Sequence, residues 1–222
     1  CLLKNSVLVK EKIMTEIANF FLIQIVFLSI VLVLHTYLGI HIIKRTLIFS
    51  DLVLDQLAAL GALTGIIYGV KYGTTTSYFY SFAYVIAGAL LLALINPKNK
   101  NIPREAVIGI LYALSLVACL LIGDKIKGGS NYITKMLTGC MLWVKWPIVT
   151  ITILIYSFLL FFHYLFRKKF IALTEKNNIA VNERLWDFLF FATQGVITVL
   201  VVPIAGVLLA YAFLMIPAAT SI

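Results

Sequence analysis

Two aspartates stand four residues apart at the start of a long apolar stretch. Asp51 and Asp55 are followed by Gln56 and then by the run LAALGALTGII. Residues four apart on a helix project from one face, so both carboxylates would face the same way. Carboxylate and amide oxygens are hard donors that suit divalent metal ions. We therefore predict that Asp51, Asp55 and Gln56 line a path for Zn, Mn or Fe.

The same residues also allow a structural interpretation. Near a membrane interface, Asp51 and Asp55 would cap a helix N-terminus and offset the nearby Lys44 and Arg45. Glu105 is a weaker candidate for the metal path. It directly follows Pro103 and Arg104, and an acid behind a proline is common in the first turn of a helix. The sequence allows two roles for these acids, one in the metal path and one in helix capping.

The remaining polar residues predict no catalytic centre. His35, His41 and His163 lack metal-ligand spacing, so we expect each to be a hydrogen-bonded structural residue. Asp187 follows Glu183 and is expected to cap a helix at the interface. No phosphate-cradling glycine loop, nucleophile with its base, or HExxH spacing occurs. We predict a non-enzyme without a permanently bound cofactor, whose energy comes from another chain or an ion gradient.

The elements that must position these residues are membrane helices. Hydrophobic residues make up 62% of the chain and charged residues 12%, whereas soluble domains carry roughly 25% charged residues. Backbone groups in lipid must be satisfied internally, and unbroken apolar runs favour helices over a barrel. We predict an all-α, polytopic transmembrane bundle in the cell membrane, with seven spans at about 18–43, 51–71, 76–96, 105–123, 147–166, 185–201 and 203–220.

The basic residues predict the orientation of the bundle. They lie in short clusters between apolar runs, as the positive-inside rule requires, and this pattern argues against a nucleic-acid partner. The loops after the first, third and fifth predicted spans carry most of them, which places residue 18 outside. The stretch 135–146 is apolar but too short to cross, so we expect a re-entrant or interfacial half-helix there.

The ends of the chain carry their own expectations. Residues 1–13 are mixed and charged and precede Met14. We expect 1–13 to be a non-native or disordered extension and 14–222 to form a single transmembrane domain. Ile222 follows directly on an apolar run, and we expect the natural sequence to continue beyond it.

Four stretches together resemble a known family, the zinc/manganese/iron permeases of ABC importers. They are HTYLGIHIIKRTLIFSDLVLDQLAALGA (35–62), NIPREAVIGILYA (101–113), TGCMLWVKW (138–146) and the closing run that ends in IPAATSI (184–222). The resemblance implies a homodimeric permease with a cytosolic ATPase, an external metal-binding protein and a divalent metal as cargo. It also implies that Asp51 lines the translocation path. Many relatives place a histidine shortly after this acid, whereas Asp55 and Gln56 stand here, so the metal stays open.

The loop 167–184 is the longest polar segment and is long enough for a short amphipathic helix. The resemblance places the ATPase contact in this loop, although a plain connector remains the alternative. The residues we expect to contact the ATPase are Phe170, Ile171, Leu173, Glu175, Ile179 and Val181.

Two other functions are compatible with a helical membrane bundle. A gradient-driven secondary transporter would show internal repeats with paired broken helices, and we find no convincing repeat. A non-transporting scaffold subunit would leave the intramembrane acids without a purpose beyond capping.

Overall fold

The apolar runs fold into helices, as their composition predicts. The computed structural model describes residues 2–95, 102–139, 141, 144–175 and 182–222, with side chains from residue 11 onward. No β-strand occurs in these ranges, and the all-α prediction is confirmed. The helices are α1 (Leu2–Lys44), α2 (Phe49–Ile67), α3 (Thr75–Leu94), α4 (Arg104–Asp124), α5 (Gly129–Thr138), α6 (Trp146–Leu165), α7 (Arg167–Glu175), α8 (Glu183–Ala205) and α9 (Val207–Thr220).

Six of these helices are long and apolar enough to cross a membrane. They are α2, α3, α4, α6, α8 and the Glu11–Lys44 part of α1. A span needs about 20 residues because a helix rises about 1.5 Å per residue across a core of about 30 Å. The seventh predicted span corresponds to α9, which is apolar but has only 14 residues. Helix α1 begins at Leu2, within the segment for which we expected an extension.

The boundary between the last two predicted spans differs from the prediction. We placed it at residue 202, directly before Pro203. Instead, α8 continues through Pro203 and ends at Ala205, with Gly206 as its C-cap. Gly206 has φ 79° and ψ 160°, a backbone region that only glycine occupies readily. The glycine, not the proline, therefore separates α8 from α9.

The short helix also lies earlier than predicted. It covers Gly129–Thr138, so only its last residues overlap the stretch 135–146. Gly139 ends it, with φ 67° and ψ −175°. This second glycine-only conformation lies directly against Gly206, since a Cβ on Gly206 would stand 2.6 Å from the Leu137 carbonyl oxygen. The ends of α5 and α8 can therefore meet only because both positions lack a side chain.

Helices α2 and α8 form the interior of the bundle. About 67% of the apolar window of α2 and 61% of that of α8 are buried, against 22% for α4. Helix α2 packs against α3, α4 and α8, while α1 packs mainly against α9 and α6. Polar residues on α2 and α8 are therefore enclosed by protein.

One glycine sets the close approach of α2 and α3. A Cβ on Gly61 would lie 2.6 Å from the Tyr80 carbonyl oxygen and 2.7 Å from the Ser81 Cα. Across the same contact the Ser81 hydroxyl donates to the Ala58 carbonyl at 2.8 Å. Small residues let membrane helices approach in this way. The next glycine along the helix is less tightly enclosed, since a Cβ on Gly65 would lie 3.5 Å from the Tyr80 side chain.

Candidate functional site

The two aspartates lie one turn apart on α2 and are both buried. Asp51 is 4% exposed and Asp55 is 1% exposed. The two side chains share one face of α2, as their four-residue spacing predicts, and this face meets α8. Buried carboxylates in a membrane protein are costly and usually mark a pathway or a paired site. The pair is the most unusual feature of the interior.

Helix α8 supplies a polar partner for each carboxylate. The Gln194 Nε2 donates to Asp51 Oδ1 at 2.8 Å, and the Thr198 hydroxyl lies beside the Asp55 carboxylate. The two partners are four residues apart, like the two acids, so one polar stripe on α2 meets another on α8. Gln194 and Thr198 are both buried. Neither residue was predicted from the sequence, although Gln194 is a lone amide within an apolar run.

Several buried oxygens in this region have no hydrogen-bond partner among the described residues. They are Asp55 Oδ2, Gln194 Oε1 and the Tyr156 hydroxyl. Tyr156 lies on α6 within electrostatic range of Asp51, and its ring stacks on His35 with centroids 6.0 Å apart. Unsatisfied buried polar atoms are rare in proteins and call for an explanation such as a functional role. The unpaired oxygens are hard donors that could serve a divalent cation.

Gln56 does not join the two aspartates on their shared face. Neighbouring residues on a helix lie about 100° apart, so Gln56 is directed away from the Asp55 side chain. Its backbone carbonyl accepts from the Cys119 thiol of α4 at 3.2 Å. The amide that lies beside Asp51 is instead that of Gln194, from a different helix.

Glu105 caps a neighbouring helix. Its Oε1 accepts from the backbone N–H of Phe49 at 2.7 Å, at the first residue of α2. The helix N-terminus carries partial positive charge, which a carboxylate stabilises. Capping was the alternative interpretation for this residue, but the capped helix is α2 and not α4. Glu105 Oε2 is buried without a partner among the described residues.

Arg45 pairs with a different acid from those named in our alternative interpretation. Its guanidinium pairs with Asp187 and not with the two acids of α2, and Arg104 binds the other oxygen of Asp187 at 2.9 Å. Burial lowers the pKa of Arg45, while the Asp187 carboxylate opposes that shift. The Arg45 guanidinium also lies 5.3 Å from the Phe190 ring centroid. This triad joins the ends of α1, α4 and α8, so Asp187, one turn into α8, is an ion-pair centre and not a helix cap.

The three histidines are hydrogen-bonded inside the protein. His35 Nδ1 lies 2.9 Å from the Val31 carbonyl oxygen, His41 Nδ1 lies 2.7 Å from Thr174 Oγ1, and His163 Nε2 lies 2.9 Å from Thr193 Oγ1. Across the part of the chain that is described, no group of three or more His, Cys, Asp or Glu side chains could hold a metal ion. A cation between α2 and α8 would therefore depend on amide and hydroxyl oxygens in addition to the two carboxylates.

The predicted ATPase-contact segment forms α7, a nine-residue helix after α6. Phe170 is 1% exposed and faces the interior, which removes it from the set of surface contacts. Ile171 and Glu175 are exposed and Leu173 is half-buried. Ile179 and Val181 lie outside the described residues. Of the predicted contact residues, Ile171 and Glu175 thus lie on the outer face of α7, together with the exposed Arg167 and Lys168.

Comparison with known proteins decides the family. The sequence profile described as the ABC 3 transport family matches residues 14–222. The chain belongs to the ABC 3 transport family. As an ABC 3 protein it is an ABC transporter permease, a multi-pass protein of the plasma membrane and a transport subunit that is not itself catalytic. This confirms the predicted permease family over the secondary transporter and the scaffold.

Among solved structures, this ABC 3 protein is similar to a chain of PsaBC from Streptococcus pneumoniae in complex with Fab. The TM-score is 0.68 with 19% sequence identity, over 91% of this chain and 72% of that chain. At this identity the likeness concerns the fold alone. A search of curated proteins finds no match.

Proposed function

We propose that the chain is the membrane-spanning subunit of an ABC importer for divalent metal ions, with Zn, Mn or Fe as cargo. The observation that carries the proposal is the buried pair Asp51 and Asp55, set against Gln194 and Thr198 across the α2–α8 interface. A membrane permease has little reason to bury two carboxylates side by side unless a cation neutralises them. The metal would pass between α2 and α8.

The donor atoms support a hard divalent cation as cargo. Carboxylate, amide and hydroxyl oxygens dominate the interface, and such donors suit Mn most and Fe or Zn less. The Gln194 amide N–H occupies Asp51 Oδ1 in the structure. Because an amide N–H cannot bind a cation, a metal at Asp51 would displace it, and the unpaired Gln194 Oε1 could then face the ion.

The proposed partners follow from the permease role. A cytosolic ATPase would supply the energy and dock on the exposed face of α7, where Ile171 and Glu175 lie. An extracytoplasmic binding protein would deliver the metal, and two copies of the chain would form the transporter within the lipid bilayer. Alternating access, powered by ATP hydrolysis on the partner, would open the α2–α8 path to each side in turn.

The test is metal accumulation in cells that lack the gene, measured for Zn, Mn and Fe. Re-expression of the wild-type chain should restore one of them, and Asp51→Asn or Asp55→Asn should not. These substitutions keep the shape of the side chain and remove its negative charge. Asp124→Asn, at an exposed position at the end of α4, is the matched control and should restore uptake. Full uptake by Asp51→Asn at equal membrane abundance would refute the proposed path.

A further inference from the structure

A buried aromatic contact ties α7 to the end of α6. The Phe170 ring stacks on the His163 ring with centroids 4.2 Å apart and an interplanar angle of 26°. Trp186 and Phe190 of α8 close over Phe170, with centroids 5.5 and 6.2 Å away. Phe170 and His163 are both almost fully buried. Movement of α7 therefore cannot leave the His163 ring in place without opening the packed core.

His163 is held in one orientation by Thr193 of α8. The Thr193 hydroxyl donates its proton to the Phe190 carbonyl at 2.8 Å. Its oxygen must then accept from His163 Nε2, which lies 2.9 Å away. The proton of the neutral ring is thus on Nε2. The other ring nitrogen, Nδ1, is buried without a hydrogen-bond partner among the described residues.

Thr193 immediately precedes Gln194, the residue that donates a hydrogen bond to Asp51. The next side chain along α8 is Gln194, whose amide donates to Asp51 Oδ1 at 2.8 Å. A rotation or shift of α8 at Thr193 therefore changes the Gln194 position directly. Buried side-chain contacts thus join Phe170 to His163 and His163 to Thr193. The backbone of α8 joins Thr193 to Gln194, whose side chain bonds Asp51.

We propose that His163 and Thr193 are positioning residues that couple movement of α7 to the state of the Gln194–Asp51 hydrogen bond. The inference rests on the proposed function, because it takes α7 as the ATPase-docking helix and Asp51 as part of the metal path. Docking and release of the ATPase would shift Phe170. The stacked His163 ring would transmit that shift through Thr193, so that Gln194 releases or recaptures Asp51.

A second contact of α7 runs through α1 and meets the first at His163. His41 of α1 bonds Thr174 of α7 at 2.7 Å, and the His41 ring packs on Tyr37 with centroids 4.7 Å apart. The Tyr37 ring in turn packs on the His163 ring, with centroids 5.3 Å apart. Both contacts of α7 therefore converge on His163, which Thr193 joins to the helix that carries Gln194.

The experiment uses the full-length permease, reconstituted in vesicles with its ATPase and binding-protein partners. ATP hydrolysis and metal movement are measured in the same vesicles, and the readout is metal ions moved per ATP hydrolysed. His163→Phe keeps the stack on Phe170 but removes the bond to Thr193. Thr193→Val removes the same bond from the other side. Thr152→Val is the matched control, since Thr152 is equally buried on α6 and, among the described residues, bonds only the Ile148 carbonyl of its own helix.

We expect ATP hydrolysis to continue and the metal-to-ATP ratio to fall roughly fivefold or more in either variant, the lower end of couplings between distant sites. The double variant should be no worse than either single one, because both remove one shared bond. Thr193→Ser, which keeps the hydroxyl, should restore the ratio, and Thr152→Val should leave it unchanged.

Three results would overturn the inference: an unchanged ratio in both single variants, effects that multiply in the double variant, or an equal loss in Thr152→Val. Asp51→Asn in the same vesicles separates this failure from failure of the proposed function. If Asp51→Asn abolishes metal movement while His163→Phe couples normally, the metal path stands and only the link to α7 falls. If Asp51→Asn moves metal at the wild-type rate, the proposed path itself is wrong and the inference falls with it.

Discussion

Gln194 of α8 donates a hydrogen bond to Asp51 of α2, at 2.8 Å in the interior of the bundle. The bond satisfies one oxygen of a carboxylate that has almost no access to solvent. It also joins the two most buried membrane helices at the level of the acid pair. The amide thus contributes to stability, and in the proposed function it also controls access to Asp51.

Replacement of Gln194 by leucine should destabilise the protein. Gln194→Leu keeps a similar volume but leaves Asp51 Oδ1 without its donor, and a buried group left unpaired costs about 1–3 kcal/mol. The measurement is thermal unfolding of the detergent-solubilised chain. Thr152→Val, which removes a buried hydroxyl with only an intrahelical bond, should change the midpoint much less. Equal midpoints for Gln194→Leu and wild type would argue against the bond.

A divalent cation should stabilise the purified permease. A ligand at a hundred times its Kd contributes about 2.7 kcal/mol to the folded state. For a chain of this size that corresponds to a rise in Tm of roughly 5–10 °C. We expect Mn²⁺ to raise the Tm of the wild type and of Asp124→Asn, but not of Asp51→Asn. The same rise in all three would place the bound ion elsewhere.

Loss of Asp187 should be more damaging than loss of an exposed acid. Asp187→Ala leaves the buried Arg45 and the partly buried Arg104 without their common partner. Breaking a buried ion pair costs about 3–5 kcal/mol. We expect about 3 kcal/mol here, because Arg104 keeps 24% of its side chain exposed to solvent. Chemical denaturation should show this loss, whereas Asp124→Ala should unfold like the wild type.

Two glycines should respond differently to the same substitution. Gly128 has φ 73° with open space around it, so Gly128→Ala should cost only the left-handed backbone penalty of about 1–2 kcal/mol. Gly206→Ala combines a glycine-only conformation with a Cβ 2.6 Å from the Leu137 carbonyl oxygen. We expect a clearly larger loss in Tm for Gly206→Ala. Similar losses for both would mean that α5 and α8 do not abut.

The outer face of α7 should be needed for ATPase docking but not for folding. Ile171 is 43% exposed, so Ile171→Asp should leave the Tm of the permease unchanged and reduce co-purification of the ATPase. Tyr68→Asp is a matched control at the opposite end of the bundle, where Tyr68 is 72% exposed. It should leave co-purification intact. Full retention of the ATPase by Ile171→Asp would place its contact away from this face.

The membrane helices and the face shared by Asp51 and Asp55 could be predicted from the chain alone. Both depend on local properties, because hydropathy and the periodicity of a helix act within about 20 residues. Boundaries were less accurate where glycine geometry decides them. Gly139 ends α5 and Gly206 ends α8, and neither conformation follows from apolar composition.

The partners of the polar residues were decided only by the tertiary structure. Gln194 and Asp51 are 143 residues apart, Arg45 and Asp187 are 142 apart, and Glu105 caps a helix that begins 56 residues earlier. No periodicity relates positions on different helices, and α7 likewise turns Phe170 inward because of rings contributed by α6 and α8. The sequence by itself determined which segments enter the membrane and which acids share a face. The packing of α2 against α8 determined what those acids meet, because in lipid the neighbours of a helix are set by close contact between side chains and not by their order along the chain.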